Sequence, residues 1–291
     1  MRESPIRVVK HHTEHGEWEL ARRMPAEPLR SYLHGYQGYR EAGGKPIRRK
    51  ELPNGEIPLI INLGAPYRIY HPRHSPDWGE WPSFLAGLHD VHTISESTDG
   101  AYCIQVNFTP IGAHLIFRES MLDLTNGMFS FSDIGGPGAD LLVEALHSLP
   151  SWEAQFDLLD SFFLERIADA RLPSPETDWA WRQIQLSAGC SQIGTLAEEI
   201  GWSHKHFIAR FREQVGMSPK KVARILRFKR VVQHLGEIEQ PDWALIAREA
   251  GYYDQAHLVR DFRQFTGSTP AAFLATRLPD QSGFLDGDPA G

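Results

Sequence analysis

A chain of 291 residues with 41% hydrophobic and 23% charged residues is long enough for two domains that each bury a core. It has no apolar run of about 18 residues and no apolar signal segment after Met1, so a cytoplasmic protein without membrane contact is expected; Cys103 and Cys190 exclude a disulfide framework and a thiolate zinc site. The formal net charge of −7 conceals an asymmetry, because residues 182–277 hold 14 Lys+Arg against 9 Asp+Glu, a net of +5, while the rest holds 16 against 28, a net of −12.

From about Arg30 to Phe108 the apolar runs are short, rich in β-formers and separated by turn residues. Ile57 to Gly64, Tyr67 to Tyr70 and Ala101 to Phe108 read as strands of a mostly antiparallel sheet or small barrel. Thr109-Pro110-Ile111-Gly112 ends the last of them, and a helix is predicted to start within Ala113 to Phe117. Ser151 to Leu172 is a predicted helix, with Ser151 as N-cap and Trp152, Phe156, Leu159, Phe163 and Ile167 on one face. The proline-broken stretch Arg171 to Thr177 then marks a boundary. The expected architecture is α+β. A β-rich domain ending in helices (1–172) and a linker (173–181) precede an all-α domain (182–278), and a small, acidic, disordered tail (279–291) follows.

The all-α segment repeats itself. Leu196-Ala197-x3-Gly201 and Phe207-x3-Phe211-x4-Gly216-x-Ser218-Pro219 return as Ile246-Ala247-x3-Gly251 and Leu258-x3-Phe262-x4-Gly267-x-Thr269-Pro270. Each copy spells helix, glycine turn, helix, which is a helix-turn-helix unit. In the first copy Ser203 caps a helix that buries Phe207, Phe211 and Val215 and turns Lys205, Ile208, Ala209 and Arg212 outward. In the second, Asp242 caps the first helix, and Asp254 caps one that buries Leu258, Phe262 and Phe265 under an outer face of Gln255, Ala256, Val259, Arg260 and Arg263. Gln can pair with the adenine edge and Arg with the guanine edge in a major groove, so the second helix has the better reading chemistry. Arg210, Arg212, Lys220, Lys221 and Arg263 are expected at phosphates, which position without reading. A helix predicted over Pro219 to Leu235 joins the copies, with Arg224, Arg227, Lys229 and Arg230 expected to form a basic wall along the DNA backbone.

Residues from about Gln183 to Arg277 resemble the DNA-binding domain of the AraC/XylS family of bacterial transcription regulators. The resemblance rests on Gly201-Trp202-Ser203, Gly216-Met217-Ser218-Pro219, Arg227-Phe228-Lys229-Arg230, Gly251-Tyr252 and Gly267-Ser268-Thr269-Pro270. It implies a seven-helix domain that binds double-stranded promoter DNA and works through RNA polymerase. The DNA-contacting set expected is Ser203, His204, Lys205, Ile208, Ala209, Arg212, Arg227, Asp254, Gln255, Ala256, Val259, Arg260 and Arg263, with no catalytic residue, metal or cofactor. Ile208 and Ala209 depart from the polar residues common there, so either they meet thymine methyls or the first unit mainly positions the protein. The N-terminal part is similar to the family's cupin-like sensor domains, on Glu51-Leu52-Pro53-Asn54-Gly55, Asn62-Leu63-Gly64, Ala86-Gly87-Leu88-His89 and Phe108-Thr109-Pro110-x-Gly112-Ala113. A small-molecule effector and a homodimer are implied expectations.

Other features carry weaker signals. His89 and His92 are a metal-ligand candidate without an identifiable third ligand, on a segment that reads as a loop. Cys103 reads as a packed core thiol, Cys190 as structural or semi-exposed, and Gly135-Gly136-Pro137-Gly138 as a turn. Tyr67, Tyr70, Trp78, Trp81 and Phe84 fit a ligand cavity and core filling equally. Two competing classes remain at this stage: a cupin-type enzyme fused to the DNA-binding module, and a DNA-binding structural protein without ligand. A repair alkyl acceptor nearly fails for want of cysteines.

Overall fold

The computed structural model describes residues 5–13, 16–42, 47–72, 78–97, 100–168, 170, 172–235 and 241–276. The tail expected to be disordered, 279–291, lies outside the described residues.

Among the described residues the N-terminal half places eleven strands in two antiparallel sheets. In chain order they are β1 (Arg7–Thr13), β2 (Gly16–Arg23), β3 (Leu33–Ala42), β4 (Ile47–Glu51), β5 (Ile57–Asn62), β6 (Tyr67–Tyr70), β7 (Gly79–Trp81), β8 (Phe84–Ala86), β9 (Thr93–Ser97), β10 (Tyr102–Phe108) and β11 (Met128–Ser130). The larger sheet runs β1-β2-β3-β10-β5-β8-β11 and the smaller β4-β9-β6-β7. Alternation along β5 decides what each face does. Ile57, Leu59 and Ile61 are at most 1% exposed and form core, whereas Pro58 and Ile60 face the space between the sheets. Among the described residues a short 3-10 turn (Glu27–Leu29) and five α-helices complete this half: α1 (Pro110–Phe117), α2 (Met121–Leu124), α3 (Phe131–Ile134), α4 (Ala139–Ser148) and α5 (Trp152–Ala168). Thr109 caps α1 by accepting from the Gly112 amide, with Pro110 at the first position, so the helix starts three residues before the stretch expected for it.

Helix α5 covers the outer face of the larger sheet. Its Phe156, Leu159 and Phe163 are fully buried, with rings 5.5 Å from Tyr36 and 5.2 Å from Phe108; each such burial contributes ~1.5–3 kcal/mol. Arg23 meets Asp157 and Asp160 on the same helix, and the Tyr36 hydroxyl donates to Asp160 at 2.8 Å. The helix ends at Ala168, short of the expected Leu172, which precedes Pro173 and is thereby turned away from helical angles.

The C-terminal half is helical: α6 (Pro175–Leu186), α7 (Ile193–Glu199), α8 (His204–Val215), α9 (Pro219–Leu235), α10 (Trp243–Glu249), α11 (Gln255–Thr266) and α12 (Pro270–Ala275). Helix α6 occupies most of the segment expected as a linker, 173–181. Ser174 caps it, Pro175 opens it, and Ala180, Trp181 and Ile184 are at most 1% exposed where it packs on α8 and α9. The proline signal was a helix start, and the apolar face behind it belongs to the helical core. Among the described residues no helix is long and apolar enough to cross a membrane.

Candidate nucleic-acid interface

The two copies fold as two helix-turn-helix units, α7–α8 and α10–α11. In each, a glycine with a left-handed backbone, Gly201 (φ 70) and Gly251 (φ 77), turns the chain, a conformation that would strain a side chain at that position. Ser203 accepts from the His206 amide, Asp242 from Ala244 and Leu245, and Asp254 from His257, so Ser203 and Asp254 cap α8 and α11 as expected. Phe207, Phe211 and Val215 of α8, and Leu258, Phe262 and Phe265 of α11, are fully buried. The opposite faces are open. His204, Lys205, Ala209 and Arg212 are exposed on α8 with Ile208 half-buried; Gln255, Ala256, Arg260 and Arg263 are exposed on α11 with Val259 half-buried.

The linker helix α9 departs from the expected basic wall. Arg224 donates from Nε to Asp261 at 3.1 Å, and from Nη2 to Asp261 at 2.6 Å and Gln264 at 2.6 Å, so it ties α9 to α11. Arg227, half-buried, donates to the Gly189 carbonyl at 2.7 Å and lies 5.5 Å from the Tyr252 ring. Lys221 is paired with Asp90 and Lys229 with Glu56, each at 2.6 Å and each across to the N-terminal half. Arg210 pairs with Glu213 at 2.7 Å on its own helix. Among the described residues, Lys205, Arg212, Arg260 and Arg263 on the outer faces of α8 and α11 are exposed, as are Lys220 and Arg248, while Arg230 is half-buried. Tyr253 is 94% exposed directly before the Asp254 cap, an aromatic at the edge of the second reading face that sequence patterning passed over.

The N-terminal half holds a second candidate site. The two sheets enclose a cavity of about 500 Å³ with mixed walls. Arg49 donates to the Tyr39 hydroxyl at 3.3 Å, Ser95 donates to Glu51 at 2.7 Å, and Tyr67 lies 3.4 Å from Cys103 Sγ. Burial pushes the Tyr39 hydroxyl up to about 12 and the Cys103 thiol up to about 11. Among the aromatics singled out, Tyr67 and Phe84 line the cavity, whereas Trp78 sits against the guanidinium groups of Arg48 and Arg68. His89 and His92 have different neighbours. His89 lies 4.9 Å from the His71 ring with Nδ1 2.5 Å from the Gly87 carbonyl, while His92 lies against Gly267; among the described residues no cluster of metal-ligating side chains occurs. Gly135 to Gly138 forms a turn whose carbonyls of Gly135 and Pro137 accept from Arg166.

Residues 196–276 match a family model described as a helix-turn-helix domain, and residues 21–130 match one described as a domain of unknown function, DUF6597. No curated protein matches the chain. Among solved structures, ToxT from Vibrio cholerae is similar at 10% identity and a TM-score of 0.45, over 82% of this chain and 97% of that one. The C-terminal domain of AraT, a response regulator from Geobacillus stearothermophilus, is 23% identical over 36% of this chain and 88% of that one, with a TM-score of 0.33. CuxR, an AraC-like transcriptional activator, is 15% identical over 79% of this chain and 85% of that one, with a TM-score of 0.34.

Proposed function

We propose that this chain is a DNA-binding regulator whose C-terminal double helix-turn-helix domain is of the AraC type and binds promoter DNA through α8 and α11 in successive major grooves. The observation that carries the reading is the pair of side-chain-capped helices with buried aromatic inner faces and exposed polar outer faces. Helix α11 is the principal reader, through Gln255 on adenine and Arg260 on guanine, each worth ~1–3 kcal/mol of discrimination. Helix α8 mainly positions the protein through Lys205 and Arg212. The cavity takes a small molecule that modulates DNA binding, and its size and mixed polar lining support that role. RNA polymerase and a second copy of the chain are the remaining partners in this reading.

The test is selection of duplexes from a random library by the full-length protein, repeated with Gln255→Ala and Arg260→Ala. Each variant should fold normally and lose preference at its own base position. Unchanged affinity and consensus for both would refute the assignment of α11 as reader.

A further inference from the structure

We propose that the loop of residues 52–56 is a shared wall that couples the contents of the barrel cavity to the position of linker helix α9, and through it to the reading helices. The inference rests on the reading of the cavity as a small-molecule site. Leu52, Pro53, Asn54, Gly55 and Glu56 all line the cavity on one side. On the other side the same short loop holds α9. Glu56 Oε1 accepts from Lys229 Nζ at 2.6 Å, and Gly55 lies so close to Leu226 that a Cβ built there would stand 2.9 Å from Leu226 Cδ2. Gly55 has a φ of 80, so the backbone geometry favours glycine at this point, and the Leu226 side chain packs directly on it. Asn54 accepts from the Glu56 amide at 2.9 Å and stiffens the turn. One layer of chain therefore separates cavity from helix.

Two features turn that contact into a route. Burial alone would raise the Glu56 carboxyl, yet the partners His34 and Lys229 hold it down to about 2, so the pair with α9 is charged at neutral pH. The N-terminal half also grips both units near the C-terminal ends of their reading helices. Thr125 donates to the Gly216 carbonyl at 2.9 Å just beyond α8, and Lys50 donates to the Thr266 carbonyl at 3.3 Å at the end of α11. Lys221 and the buried Asp90 hold the start of α9. With those points anchored, a shift of the loop against Leu226 and Lys229 changes how α9 sits between the two readers. Contiguous packed contacts of this kind carry coupling when an occupant favours one arrangement over another.

The experiment is a double-mutant cycle on the full chain, using a duplex that the wild-type protein selects from a random library and reading affinity by fluorescence anisotropy. Ala86→Trp fills the cavity from outside the loop, and Met128→Trp serves the same purpose if the first variant does not fold. Leu226→Ala with Lys229→Met loosens α9 from the loop without touching the cavity lining. Filling the cavity should change DNA affinity by about five-fold or more in the wild-type background, and by less than about two-fold in the loosened one. An equal change in both backgrounds would overturn the loop as the route while leaving the cavity as a control site. No change in either background would overturn the reading of the cavity, and the coupling with it.

Discussion

Arg224→Met strips the buried carboxylate of Asp261 of its guanidinium partner while keeping an apolar stem near the Phe265 ring, which lies 5.5 Å from the Arg224 guanidinium. Asp261 is 1% exposed and receives hydrogen bonds from Arg224 at 2.6 and 3.1 Å. Removing one partner of a buried ion pair costs ~3–5 kcal/mol, because the other charge stays desolvated. The Arg224 side chain keeps 24% of its area exposed, so water screens the pair and the loss falls at the low end, about 3 kcal/mol. Urea unfolding followed by tryptophan fluorescence should report that loss. A salt titration of DNA binding separates this structural role from a phosphate contact, since losing one such contact flattens the log-log salt dependence by ~0.9. Arg224→Met should lower stability and leave the slope unchanged. A variant as stable as wild type within ~0.5 kcal/mol, with a slope reduced by about one, would refute the reasoning.

Iodoacetamide at pH 8 should modify Cys190, which is exposed, and spare Cys103, which is buried with its thiol pushed up to about 11; mass spectrometry of the intact chain should show one adduct before unfolding and two after. Tyr253→Ala should weaken DNA binding by ~1 kcal/mol at unchanged stability, because a side chain 94% exposed holds nothing in place; equal affinity on the selected duplex would remove it from the interface. The Glu56 carboxyl has its folded value, about 2, below the ordinary 4.5, so its stabilising contribution is full above 4.5 and is lost as pH falls toward 2. The stability difference between wild type and Glu56→Gln should hold from pH 7 to pH 5 and shrink below 4.5. A difference that vanishes by pH 5 would contradict the pairing with Lys229 and His34.

What proved legible in the sequence was local. Ser203, Asp242 and Asp254 cap helices because a short polar side chain reaches an amide two or three residues on, and such spacing survives any tertiary context. The buried stripes Phe207-Phe211-Val215 and Leu258-Phe262-Phe265 follow from helical period alone, as does the span of α9 between Pro219 and Leu235. The stretch 173–181 misled because a proline-rich breaker and a proline that opens a helix look alike until the apolar face of α6 has something to pack on.

Patterns that repeat within a few residues suffice for the two helix-turn-helix units, the strands of the N-terminal half and the outward faces of α8 and α11. What the cations of the linker helix do depends on contacts distant in the chain. Arg224 and Arg227 find partners 37 and 38 residues away, and Lys221 and Lys229 find theirs at separations of 131 and 173. A lysine or arginine on a helix face reads the same in sequence whether phosphate, a buried aspartate or a neighbouring carbonyl will meet it. Charge attracts whatever opposite group the fold brings within about 3 Å, and long-range packing alone sets which group that is.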